Sequence, residues 1–187
     1  MKNYKKVLQA NTRFLIDYKT LYRLNNIKRY STRFNSILKE SVSEHTTHVS
    51  IIVMRLIKKL IKHGNTYAAH LIKLYELEII KYALIHDVDE VLVNDIPYTF
   101  ISDEIKNEIH NLTNKYTAEL SKYLGAPEHP EPIVKDVVKL ADIISVYFYA
   151  KANLEILGET NKEFLEIKAE AFERIKTTLK RIKSVGF

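Results

Sequence analysis

Four positions of this chain carry residue types suited to a metal site: His45, the adjacent pair His86-Asp87, and Asp142. Two imidazoles and two carboxylates suit a divalent ion, and such an ion can polarise a phosphate oxygen or lower the pKa of water, which is the chemistry of phosphate-ester hydrolysis. Each position also has a plainer reading. Asp142 stands among Leu140, Ile143, Ile144 and Val146, where a carboxylate is costly to bury unless it is paired or coordinates a cation, but it could equally face the surface or cap a helix. His86-Asp87 follows the apolar run IIKYALI and could be a polar cluster at a helix end. The joint occurrence of all four in this order favours the metal. His48 shares a helix face with His45, three residues away, and is expected to stand behind a ligand or beside the substrate at most. His63, His70, His110 and His129 have no convergent spacing.

The elements that would carry these side chains are helices. Only four glycines and four prolines interrupt the chain, and apolar residues recur at three- and four-residue spacing. A first helix is expected over Tyr4 to about Leu24, then an irregular polar stretch from Asn25 to Lys39. Ser41-Val42-Ser43-Glu44 reads as a capping box opening a helix with Val49, Ile52, Val53, Leu56, Ile57, Leu60 and Ile61 on one face, stopped at Gly64. His45 would lie in its first turn. The next helical stretch runs from Tyr67 to near Asn94-Asp95-Ile96-Pro97, broken at most once, with His86, Asp87 and Glu90 in its last turns. Ser102 is expected to cap a helix reaching about Leu124. The Gly/Pro-rich loop from Gly125 to Pro132 precedes a buried helix that ends at Gly158 and holds Asp142 in its middle. A last amphipathic helix covers Lys162 to about Ile182. The fold class is therefore all-α.

Composition narrows the chemistry. The 187 residues, with no linker-like tract, indicate one domain over the whole chain. The absence of cysteine excludes disulfides, thiolate zinc sites, iron–sulfur clusters and a cysteine nucleophile, so any metal must be held by His, Asp or Glu. The N-terminus lacks the apolar core of a signal peptide and no apolar run is long enough to span a bilayer, so a cytoplasmic, membrane-free protein is expected. The net charge of +6, from 29 basic against 23 acidic residues, fits a lysine-rich solvated surface or attraction of an anionic substrate. No repeat or RNA-binding signature is present, and nucleic acid is not the expected partner.

Three segments, VSEH (Val42–His45), HDVDEVLVNDIP (His86–Pro97) and KLADIIS (Lys139–Ser145), match in kind and order those of the HD-domain phosphohydrolases. The chain most resembles the 5'-deoxynucleotidase branch and related small phage enzymes acting on deoxynucleotides. The resemblance covers about Asn26 to Leu157 and implies a single HD-domain helical bundle. It makes His45, His86, Asp87 and Asp142 the metal ligands, and Glu90 a catalytic glutamate that orients or deprotonates the attacking water. Asp95 becomes a second catalytic acid able to protonate the departing oxygen. Arg29-Tyr30 corresponds to an arginine–aromatic pair, the arginine binding phosphate through its planar fork and the ring packing on the sugar. The family more often has Trp at the place of Tyr30, and the stretch to His45 is one residue longer here, so Arg33 or Arg13 could take the phosphate instead.

The resemblance further implies a divalent transition metal (Co, Mn, Ni, Zn or Fe), a deoxynucleotide substrate and a homo-oligomer, dimer or larger. Removal of 5'-phosphate from deoxyribonucleoside monophosphates is the leading expectation. A triphosphohydrolase releasing triphosphate from a dNTP such as dATP is the alternative within the same site. A non-catalytic nucleotide-binding HD module is the alternative of a different class, and a cyclic-dinucleotide or guanosine-tetraphosphate hydrolase fits the middle segment less well.

Overall fold

The structure, a computed structural model, describes residues 22–29, 38–88, 90, 117–118, 121–122, 125–127, 129–158 and 160–186. Four long helices account for most of them: α1 (Val42–His63), α2 (Thr66–Ile85), α3 (Pro132–Leu157) and α4 (Lys162–Lys183). Local chemistry fixes their ends. Ser41 Oγ accepts from the Glu44 amide at 3.2 Å while Glu44 Oε2 accepts from the Ser41 amide at 2.6 Å, the reciprocal capping box that the sequence announces. Gly64 and Asn65 then turn the chain, with Asn65 Oδ1 capping α2 through the Ala68 amide at 2.9 Å. Gly158 ends α3 with a φ of 92°, a backbone region that side-chain-bearing residues rarely adopt. Asn161 Oδ1 caps α4 at the Phe164 amide, 3.2 Å away.

Apolar spacing decides the packing. α1 buries Val49, Val53 and Ile57 at four-residue intervals, and α2 buries Ala68, Ile72, Ile79 and Ala83. α3 is the central element, contacting all three others and burying Val134, Val137, Val138, Leu140 and Ala141. Ile182 of α4 closes this core. Fully burying an aliphatic side chain contributes about 1.5–3 kcal/mol. Ile79→Ala at the centre should therefore lower unfolding stability by about 2–5 kcal/mol, read from urea or thermal melts.

In the run Tyr147-Phe148-Tyr149 of α3, Tyr149 is buried, whereas Phe148 is 55 % exposed. No helix among the described residues is long and apolar enough to cross a membrane. Of the expected N-terminal helix only residues 22–24, which are helical, fall within the described residues. Of the Ser102–Leu124 segment, residues 117–118 and 121–122 do so and are also helical.

The single break allowed for in this stretch falls at residues 86–88. α2 ends at Ile85 and Glu90 is helical again, so His86 and Asp87 lie in a turn and not, as expected for them, in the last helical turns. There the Val88 amide bonds the Ile85 carbonyl and the Glu90 amide bonds the Asp87 carbonyl, both at 3.1 Å, replacing the i−4 ladder with i−3 closure. Outside the helices, Lys28 and Ser41 form an antiparallel bridge that lays the Arg29 segment along the start of α1.

Candidate metal centre

His45, at the fourth position of α1, is fully buried. Its ring turns Nε2 toward Asp142 Oδ1 of α3, 3.2 Å away, and toward Asp87 Oδ2 of the post-α2 turn, 3.5 Å away. His86 Nε2 lies 3.2 Å from the same Asp87 oxygen, and the two imidazole centroids are 5.5 Å apart. Ligand atoms of His45, His86 and Asp142 fall within 4.8 Å of one another. Three elements distant in sequence thus converge where the sequence placed four separate polar residues.

This arrangement fits a cation. His45 Nε2, His86 Nε2 and Asp87 Oδ2 are all shielded from solvent and make no hydrogen bond, although they approach within hydrogen-bond distance. Orphaned buried acceptors are rare in folded proteins. Two ligands about 2.0–2.1 Å from a tetrahedral ion stand about 3.3 Å apart, which is the spacing of these pairs. An all-nitrogen-and-oxygen donor set suits a first-row divalent ion.

The surrounding charges are tuned for it. Burial alone would raise the Asp87 carboxyl, but the charge and contact of His86, then Arg29 and His45, hold it far below the ordinary carboxylate range. Asp142 is likewise buried, and contact with His45 together with the Lys139 and His86 charges holds it low. Lys139 Nζ donates to Asp142 Oδ2 at 2.7 Å. His86 Nδ1 donates to the Ala83 carbonyl at 2.8 Å, which leaves Nε2 as the ligating atom once the ring is neutral. Burial would lower the His86 pKa, but Asp87, Asp142 and that carbonyl raise it to about 9. A ligand must be unprotonated, so a cation held by His86 would displace its proton at neutral pH. Affinity should rise about tenfold per pH unit from pH 7 until it levels near 9, measured by metal titration across that range.

Arg29, 9 % exposed, is held by its amide on the Glu40 carbonyl at 2.9 Å and directs Nη1 to within 3.9 Å of Asp87 Oδ2. Glu90 is tied to the ligand turn through its amide, and its Oε2 is shielded from solvent. Tyr30 and Asp95, as well as Arg13 and Arg33, lie outside the described residues. His48 meets the modest expectation for it: it is no part of the cluster and pairs through Nδ1 with Glu40 Oε1 at 2.7 Å. Glu40 itself is a buried carboxylate that the sequence reading passed over. A carboxylate directly ahead of the N-cap, eight residues before a histidine, was the only available signal.

Two cavities flank His45. The one on its Nε2 side, about 340 Å³, is lined by His86, Asp87 and Asp142 and edged by Lys135, Lys139 and Arg181. The larger, about 550 Å³, lies on the Nδ1 side between α1 and α3 and is mostly apolar, with Ile51, Phe148 and Tyr149 in its wall. Size favours the second but chemistry favours the first, since only there do ligand atoms and cationic side chains meet.

Comparison with known proteins agrees with this geometry. A family model described as 5'-deoxynucleotidase YfbR-like matches residues 17–187. The 5'-deoxynucleotidase HDDC2 of Dictyostelium discoideum is 30% identical over 154 residues, covering 74% of this chain and 78% of that protein. Among solved structures, an HD-domain phosphohydrolase from Listeria innocua superposes with a TM-score of 0.68 at 18% identity, covering 92% of this chain and 83% of its own. The cyanophage S-2L HD phosphohydrolase DatZ, solved with dA and one catalytic Zn2+ ion, gives a TM-score of 0.54 at 15% identity, covering 87% of this chain and 96% of its own. At those identities the two structures speak for a shared fold, the all-α HD-domain bundle. The match over nearly the whole chain places this protein in the YfbR-like 5'-deoxynucleotidase family, and so among the hydrolases.

Proposed function

We propose that this protein is a divalent-metal-dependent 5'-deoxynucleotidase that removes phosphate from deoxyribonucleoside 5'-monophosphates. The observation that carries the reading is the convergence of buried His45 Nε2, His86 Nε2 and Asp87 Oδ2, with Asp142 beside them, behind a cavity of about 340 Å³ that His86, Asp87 and Asp142 line. His45, His86, Asp87 and Asp142 hold the ion, with Mn, Co, Ni, Fe or Zn suiting the donor set. When bound, the ion supplies Lewis acidity and a lowered water pKa.

The chain's own residues do the rest. Arg29 offers a planar, permanently charged fork to the phosphoryl oxygens, and its amide anchor on Glu40 removes much of the freedom it would lose on binding. Glu90 accepts the proton of the attacking water or aligns it. Asp95 protonates the departing 5'-oxygen, and Tyr30 packs on the sugar.

A second reading, release of triphosphate from a dNTP, draws support from the cavity rim. Lys135, Lys139 and Arg181 edge the same opening, although Lys139 and Arg181 are engaged by Asp142 and Asp136, each at 2.7 Å. Incubating the metal-loaded protein with dAMP and with dATP separates the readings by product. Phosphate from dAMP supports the nucleotidase, triphosphate from dATP supports the rival, and neither product with either substrate overturns both.

A further inference from the structure

The two imidazoles that face the proposed ion are held from behind in the same chemical manner. His86 Nδ1 meets a backbone carbonyl, an oxygen that can only accept. His45 Nδ1 meets two oxygens: Ser145 Oγ at 3.3 Å and Glu40 Oε2 at 3.5 Å. A hydroxyl can donate or accept, so Ser145 leaves the His45 tautomer open. An ionised carboxylate only accepts, so Glu40 favours a proton on Nδ1; Asp142 and Asp87 compete for that proton at Nε2 in the metal-free ring, and with a cation there the Nε2 lone pair faces the ion.

Glu40 is suited to this by its setting. It is only 8 % exposed, and its second oxygen, Oε1, is held by His48 Nδ1 at 2.7 Å, which fixes the plane of the carboxylate. Its main-chain carbonyl simultaneously holds the Arg29 amide. A purely local role at the helix N-terminus would need neither burial nor a histidine partner, and Glu44 already fills that role in the capping box.

Building on the proposed metal centre, we infer that Glu40 is a positioning residue: its carboxylate fixes the tautomer and aim of His45 from behind, and its carbonyl sets Arg29 beside the same ion. Partners of this kind commonly change metal affinity 10–100-fold when removed. The Glu40→Gln amide keeps the shape but accepts more weakly and can donate to Nδ1, which favours the wrong tautomer.

The test compares wild type and Glu40→Gln by calorimetric titration with Zn2+ and Mn2+, alongside melting of both metal-free proteins. The expected result is about 10–100-fold weaker binding by the variant, which still folds but melts lower without metal because the carboxylate contacts to His48 and His45 are weakened. Hydrolysis by the variant should recover as metal is raised to saturation, since chemistry is left in place. Equal affinities overturn the inference while leaving the metal centre standing; a wild type that binds no ion removes the metal centre and this role with it. Should the variant not fold, ¹⁵N–¹H correlation of the His45 ring in Zn2+-loaded wild type decides. A proton on Nδ1, with Nε2 on the ion, supports the role, and an Nδ1 without a proton refutes it.

Discussion

Asp87→Ala is expected to abolish metal content and hydrolysis together. Asp87 Oδ2 stands between the two imidazoles, 3.5 Å from one and 3.2 Å from the other, and 3.9 Å from Arg29 Nη1. Removing it leaves three of the four proposed ligands and takes one negative charge from beside Arg29 and His86. Breaking a buried ion pair on one side typically costs about 3–5 kcal/mol, so a lowered melting temperature should accompany the loss. Asp87→Asn, which keeps the volume, separates the two effects by retaining more of the stability while still losing the ion. Elemental analysis after dialysis and phosphate release from dAMP with added Mn2+ provide the readings. Full turnover by a metal-free Asp87→Ala protein would end the model.

Glu90→Gln should give the opposite division, with metal retained and turnover lost. Glu90 is proposed to act on the water and not on the ion, and positioned acid–base groups contribute about 10²–10⁴ in rate. A fall of that order in kcat, at unchanged metal stoichiometry, is the expected outcome. If the ion is lost as well, Glu90 belongs to the coordination and the assignment of roles must change.

Much of this was legible in the sequence because capping chemistry is local. Ser41-Glu44, Gly64 and Gly158 mark helix ends with residues whose side chains or φ preferences act within one turn, and the observed boundaries fall there. The place of the break after Ile85 was not legible. Adjacent residues on a regular α-helix point about 100° apart, and the turn at residues 86–88 brings His86 Nε2 and Asp87 Oδ2 within 3.2 Å of each other. Glu90 is joined to that turn through the Asp87 carbonyl. Glu40 was missed although its partners are near in sequence, His45 five and His48 eight residues on, because a non-helical residue ahead of the N-cap has no helical face to assign it to. No period or propensity reports such a contact.

The Lys139–Asp142 contact bears on the state of the proposed centre before any ion arrives. Each carboxylate of the cluster already meets a cation that the chain supplies: Lys139 at Asp142, Arg29 and a protonated His86 at Asp87. With these internal counter-charges the bundle is expected to fold without metal, unlike domains that collapse only around their ion. Loading of the proposed centre would then follow folding, and supply in the cell would decide which metal it carries.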